Sequence, residues 1–164
     1  FRFSEPQMSK RDDALQLRPV GDGEGLVFVT RRLVRFSHVD PAGIAYFPRI
    51  HNCIYEAFEV LWEEYIGVRY FYLIQDLRVA FPMVHTEVDF KHPLRFGERP
   101  EIRVACTRLG RASLGMRYNI YVDDRLCVDA RTTTACIDAD KLKSQPIPQE
   151  YRTYFEKICH PQLA

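Results

Sequence analysis

The chain has 164 residues, 46% of them hydrophobic, which suffices for one good core but is small for two, so it reads as a single domain. Its 23 basic and 22 acidic residues leave a formal charge of +1, which excludes a general field for nucleic acid or an anionic membrane and makes any phosphate binding local. No apolar run reaches the roughly 18 to 20 residues of a membrane span and no signal-like segment is present; five cysteines without Cys-x-x-Cys spacing argue for reduced, packed thiols in a cytoplasmic protein.

Residues 1–25 combine Lys10-Arg11-Asp12-Asp13 with Gly21-Asp22-Gly23-Glu24-Gly25 and hold no sustained period, the pattern of a tail or linker. The domain is expected over 26–164. From Leu26 the pattern is strand-like through Phe36, and the run then reads His38-Val39-Asp40-Pro41-Ala42-Gly43-Ile44-Ala45-Tyr46-Phe47-Pro48. Pro41 fixes its own φ and holds Asp40 extended, Gly43 permits a bend closed to other residues, and Pro48 suits the first turn of a helix. A carboxylate and the free N–H groups of a helix start therefore end up close together. That pairing suits acyl chemistry: the carboxylate attacks or deprotonates water, and the N–H groups receive charge developing on a carbonyl oxygen.

From about Pro48 to Tyr65 the period is helical. Ile50, Ile54, Ala57, Leu61 and Tyr65 form an apolar stripe flanked by Phe58 and Trp62, opposite Arg49, Asn52, Glu56, Glu59 and Glu63. His51, Tyr55, Phe58 and Trp62 offer more aromatic surface than one sheet face needs, so either a second subunit covers them or they are ordinary core. After residue 83 the period becomes two: Val84, Thr86, Val88 and Phe90 alternate with His85, Glu87 and Asp89. Strands follow around Ile102–Cys106 and Leu114–Val122, with Asp123-Asp124 as a hairpin turn and a long last strand over Leu126–Ile137. Pro148 opens a short C-terminal helix. One helix followed by a run of antiparallel strands is an α+β arrangement in which the sheet wraps the helix.

The Asp40 segment resembles the active-site segment of the 4-hydroxybenzoyl-CoA thioesterase family of hotdog-fold proteins, where Asp-Pro-Ala-Gly-Ile precedes an aromatic pair and the central helix. Val84–Glu98 is similar to that family's second strand and following turn, and Arg108-Leu109-Gly110-Arg111-Ala112-Ser113 to its next hairpin, so the likeness covers roughly residues 27 to 140. His38 departs from it, standing where many members carry an acid. The resemblance implies an acyl-CoA thioesterase, with an aryl-CoA such as hydroxybenzoyl-CoA within its range, that needs neither metal nor redox cofactor. It also implies a dimer with continuous sheets and shared active sites, often paired again into a tetramer.

By the same resemblance Asp40 is the nucleophile or general base and the Phe47 N–H polarises the thioester carbonyl, since Pro48 has no N–H to give. Tyr46 is placed against substrate, and Arg108, Arg111 and Ser113 against coenzyme A phosphates; His38 is added on geometry alone, because two residues before Asp40 on a continuing strand it points to the same side, toward substrate and the shared proton. Each has a plainer alternative. Asp before a helix most often forms a turn, a histidine is most often solvated or backbone-bonded, and Glu56 and Glu59 fit a solvated helix face. Three other functions stand beside hydrolysis: an acyl-CoA or acyl-carrier-protein binding module, a role in an envelope complex, and a hydratase, against which Ala45 counts by occupying the place of its histidine.

Overall fold

The structure, a computed structural model, describes residues 17–20 and 25–164. The Lys10-Arg11-Asp12-Asp13 run and residues 21–24 lie outside the described residues. Within the stretch read as a tail, β1 (Leu17–Pro19) pairs antiparallel with β2 (Leu26–Arg31). Helix α1 (Phe47–Val60) follows, then a π-helical continuation over Leu61–Ile66 that Gly67 ends in the left-handed region at φ 84°. Helix α2 (Tyr70–Gln75), β3 (Val79–Ala80) and the long strands β4 (Met83–Phe90), β5 (Glu101–Leu109), β6 (Ser113–Val122) and β7 (Arg125–Ala135) come next. The chain closes with β8 (Ile137–Asp138), β9 (Lys143–Ser144) and α3 (Gln149–Lys157).

The expected α+β arrangement is present. Six antiparallel strands run in the order β1-β2-β5-β6-β7-β4, and β3-β8-β9 form a small second sheet. The long strands carry their alternation as burial: Ile102, Val104 and Cys106 from β5 and Leu114, Met116, Tyr118 and Ile120 from β6 all reach the core. Against them α1 lays Ile50, Ile54, Ala57 and Phe58, and its continuation adds Leu61 and Trp62. Of the aromatics left open by the sequence, Phe58 and Trp62 are core, 1% and 0% exposed, while Tyr55 stays exposed. Tyr70, Phe81, Tyr151 and Phe155 enclose Trp62 with ring centroids 5.1–6.1 Å away.

Two boundaries differ from expectation. The strand expected to reach Phe36 stops at Arg31, because it faces Pro100, which accepts the Arg32 N–H at 3.2 Å but has no N–H to return. Phe36–His38 then closes a 3-10 turn. The last long strand breaks at Cys136, whose N–H donates to the Ala112 carbonyl at 2.8 Å, so Ile137 leaves the large sheet to pair with β3. Helix α2, with six residues, is too short to show a period in the sequence. Asp123 and Asp124 do form the hairpin turn, Asp123 at φ 52°.

β4 sits at the sheet edge, and its alternation is not converted into burial. Six of its eight residues are exposed, Val84 by 62% and Phe90 by 55%.

Candidate active site

The Asp40 loop is built by its own backbone. The Asp40 N–H donates to the Ile44 carbonyl at 3.0 Å and the Gly43 N–H to the Asp40 carbonyl at 2.9 Å, with a bridge between Val39 and Ala45 at the base. Gly43 takes φ 76°, which an L side chain resists, although a Cβ there would meet no atom within 4 Å. A second bridge, Ile44 to Arg95, and the Ala45 N–H donating to Leu94 at 2.8 Å dock the loop on the segment after β4. Asp40 Oδ1 accepts the Ala42 N–H at 2.8 Å, so the carboxylate does shape the turn. A carboxylate offers about four acceptor positions, and this use occupies one of them.

Beyond the loop, α1 starts without a side-chain cap. Tyr46 takes the N-cap position with extended backbone, Phe47 is the first helical residue, and Pro48 has no N–H. Arg49 donates its N–H to the Tyr46 carbonyl at 2.9 Å, whereas the Phe47 N–H has no partner among the described residues. Asp40, Tyr46 and Phe47 line one open cavity of about 500 Å³, a size typical of small-molecule sites. Its other wall comes from the end of β4 and the turn after it, Phe90-Lys91-His92-Pro93-Leu94, with Ile50 and Val128 at the base. The Lys91 and His92 N–H groups both donate to the Cys127 carbonyl, at 2.8 and 3.1 Å, which fixes this wall to β7.

Lys91 and His92 were not singled out by sequence reasoning. Their signal is the break of period at Pro93, which ends the strand and leaves a cationic residue beside the loop. The structure brings Asp40, Tyr46 and Phe47 together but sets His38 apart. Because Phe36–His38 is a turn and not a strand, His38 does not share the face of Asp40; its Nδ1 accepts the Arg35 N–H at 3.2 Å and it lines a neighbouring pocket with Arg49 and Cys53. Glu56 lies 3.9 Å from Arg32 on the polar face of α1, as a solvated helix face would have it. No cysteine lines the Asp40 cavity, and burial pushes the Cys53 and Cys136 thiols up to about 11.

Arg108, Arg111 and Ser113 are grouped on the β5–β6 hairpin as expected. The hairpin is held by the Gly110 N–H on the Ser113 carbonyl at 2.9 Å and by Arg152 on the Gly110 carbonyl at 2.8 Å. Both Arg108 and Arg111 are exposed. Within one chain, however, they stand far from Asp40. Ser113 pairs with Ala135 at one end of the sheet, while Val128, which borders the Asp40 cavity, pairs with Ile120 and Phe90 toward the other. Ile120 lies seven positions along the strand from Ser113, roughly 23 Å at the usual rise.

Residues 34–155 match the model of the thioesterase-like superfamily. A 1,4-dihydroxy-2-naphthoyl-CoA hydrolase of Nostoc punctiforme is 32% identical over 130 residues, covering 79% of this chain and 86% of that protein. Among solved structures, a thioesterase superfamily protein from Jannaschia superposes with a TM-score of 0.78 at 30% identity, over 87% of this chain and 98% of its own. A 1,4-dihydroxy-2-naphthoyl-CoA thioesterase from Synechocystis superposes with a TM-score of 0.73 at 27% identity, over 82% and 99%.

Proposed function

Because the chain belongs to the thioesterase-like superfamily, we propose that its hotdog domain hydrolyses an aryl-CoA thioester in the cavity walled by Asp40 and the start of α1. The chain is a thioester hydrolase by its relatives, and the residues that act are the finer part of the reading. What carries that part is one juxtaposition: a carboxylate with acceptor capacity to spare and an N–H without a partner among the described residues line the same apolar cavity.

In this reading the thioester oxygen sits on the Phe47 N–H, where the helix start favours negative charge. Asp40 attacks the carbonyl carbon, coenzyme A leaves as its thiolate, and water opens the resulting anhydride; alternatively Asp40 takes a proton from the water that attacks. Both routes place the same charge on the same oxygen. Tyr46, Phe47 and Phe90, exposed by 40, 64 and 55%, give the acyl group aromatic surface, which favours a flat aryl acid such as a hydroxybenzoyl or dihydroxynaphthoyl group.

Coenzyme A then has to reach Arg108, Arg111 and Ser113, and a second copy supplies them. An antiparallel pairing of the exposed β4 edge with its own copy sets the partner's Met83 end beside this chain's Phe90 end. Since Met83 pairs with Thr134, close to where Ser113 pairs with Ala135, the partner's hairpin moves toward this chain's Asp40. The same pairing covers Val84, exposed by 62% on an edge that natural proteins do not leave open. A dimer of 19.3 kDa chains, or a tetramer of two such dimers, follows. No helix among the described residues is long and apolar enough to cross a membrane, and five free thiols support a cytoplasmic setting.

A thiol-release screen across aryl, short and long straight-chain CoA esters tests the reading, alongside the mass in solution. Aryl esters are expected to lead in kcat/KM by tenfold or more. A preference for long chains removes the aryl assignment, and a monomer that is fully active removes the shared site.

A further inference from the structure

Cys106 of β5 and Cys159, two residues past α3, face each other where the C-terminal segment runs beside the sheet as a parallel bridge. The Cys106 N–H donates to the Ile158 carbonyl at 2.9 Å, and the Cys106 carbonyl accepts the His160 N–H at 2.7 Å. Residue 159 is thereby held between two bonds, directly across from residue 106. Neighbouring strands run ~4.7–4.9 Å apart, inside the ~4.4–6.8 Å that separates the Cα atoms of a disulfide. Both sulfurs are thiols in this structure, and their surroundings differ: Cys106 is fully buried, whereas Cys159 is only half-buried.

The segment is fixed on both sides of the pair. His160 is buried, its Nε2 lies 2.7 Å from the Leu26 carbonyl, and a side chain at Gly25 would collide with its ring. Before the pair, Tyr151 and Phe155 of α3 close over Trp62. The register that sets 159 opposite 106 is thus locked by packing above and below it, and the two sulfurs have few ways to part.

We propose that Cys106 and Cys159 form a reversible dithiol–disulfide pair that clips the C-terminal segment to β5 when the protein meets a low-molecular-weight disulfide such as oxidised glutathione. The accessible Cys159 reacts first: its thiolate attacks one sulfur of the oxidised glutathione, one glutathione thiolate leaves, and a mixed disulfide remains on Cys159. Cys106 then loses its proton to solvent and attacks the Cys159 sulfur, and the second glutathione leaves. Two protein thiols are oxidised and one glutathione disulfide is reduced to two thiols. Burial, with the Cys159 sulfur beside it, holds the Cys106 thiol well above its ordinary range, so the second step is the slow one and quickens as pH rises.

The purified chain is equilibrated in glutathione buffers of graded oxidised-to-reduced ratio, quenched with an alkylating agent and mapped by peptide mass. The expected result is a linked pair of peptides holding Cys106 and Cys159, rising with the oxidised fraction and lost on return to reduced glutathione. Closing a loop that contains β6, β7 and α3 should also raise Tm by roughly 5 to 15 °C. Cys159→Ser should abolish both the link and the shift, and Cys106→Ser should leave glutathione on Cys159. Separate alkylation of both cysteines at every ratio overturns the proposal, as does a wild-type chain that stops at the mixed disulfide. If Cys106→Ser does not fold, the wild-type map and Cys159→Ser decide. None of these readouts depends on thioester hydrolysis, so the pair and the catalytic reading stand or fall separately.

Discussion

Replacing Asp40 by Asn separates its turn bond from its proposed chemistry, because the two use different features of the carboxyl group. The turn uses Oδ1 as an acceptor for the Ala42 N–H at 2.8 Å, and an amide oxygen accepts that bond equally well. The other bonds that close the loop, Asp40 to Ile44 and Gly43 to Asp40, are backbone and survive the change. Stability should therefore move by no more than about 0.5 kcal/mol. The reaction needs charge and a lone pair that an amide does not offer, so kcat should fall by about 10² to 10⁴, equivalent to roughly 2.7 to 5.4 kcal/mol of barrier. Asp40→Ala is the companion variant: it loses the turn bond as well and should be about 1 kcal/mol less stable than the Asn variant, with a similar kcat. Thiol release from an aryl-CoA ester, read with a thermal melt of each variant, gives both quantities. An Asn variant that melts like the parent and keeps kcat within a few-fold would refute the chemistry, leaving Asp40 a turn residue only.

Further expectations follow from the hairpin, the loop, the ion pairs and the ligand set. Arg111→Ala should raise KM for the CoA ester by about two- to tenfold, the low end of a charge-assisted contact because Arg111 is exposed and screened; an acyl-pantetheine thioester should be turned over equally by both proteins, and an equal loss there would end the phosphate role. Gly43→Ala should cost about 1 to 2 kcal/mol from its φ of 76° alone, since no atom stands within 4 Å of the new methyl; an unchanged melt would show that the loop reshapes freely. Asp129 is held below the usual carboxylate range by Arg117, which bonds its two oxygens at 2.9 and 2.8 Å. A lowered folded-state value means that this contribution is full above the unfolded carboxylate range and fades as pH falls through the folded value. Asp129→Asn should thus lose about 1.5 to 3 kcal/mol at neutral pH and much less under acid, measured by urea melts at several pH values. Dialysis against a chelator should leave kcat unchanged, as no three metal-ligating side chains are grouped among the described residues; recovery of lost activity by added zinc or magnesium would contradict this.

Much of the loop that shapes the candidate site was legible because the residues that shape it act locally. Asp40, Pro41, Gly43 and Pro48 each constrain the backbone within one loop, and their effects are read without knowing what lies across from them. The helix stripe and the alternation of β5 and β6 were legible for a related reason, since one side of each element meets one core. The face of His38 depends on where β2 ends, and that is decided by Pro100, far along the chain. Lys91, His92 and Val128 could not be placed from the sequence: they border the same cavity as Asp40 only because β4 returns to pair with β7, an order that periodicity does not encode. The distance from Asp40 to Arg111 has the same origin. Each hairpin was readable, but which end of the sheet each would occupy was not.

The bare start of α1 sets a limit on how this protein can be hardened. Tyr46 leaves the helix without the side-chain acceptor that Ser, Thr, Asp or Asn would bring, a defect worth about 1 kcal/mol that an engineer selecting for heat resistance would repair first. Since Pro48 has no N–H, Tyr46→Asp or Tyr46→Ser would cap the Arg49 N–H at the third helical position, and the aspartate would also bring a second anion into the cavity of Asp40, beside the Phe47 N–H proposed for the thioester oxygen. Heat-selected libraries should accumulate acidic or hydroxyl residues at this position, while libraries selected for turnover keep it free of an acid. At position 46 durability and speed compete through charge, because the acid that best steadies the helix start stands against the negative charge the proposed chemistry gathers there.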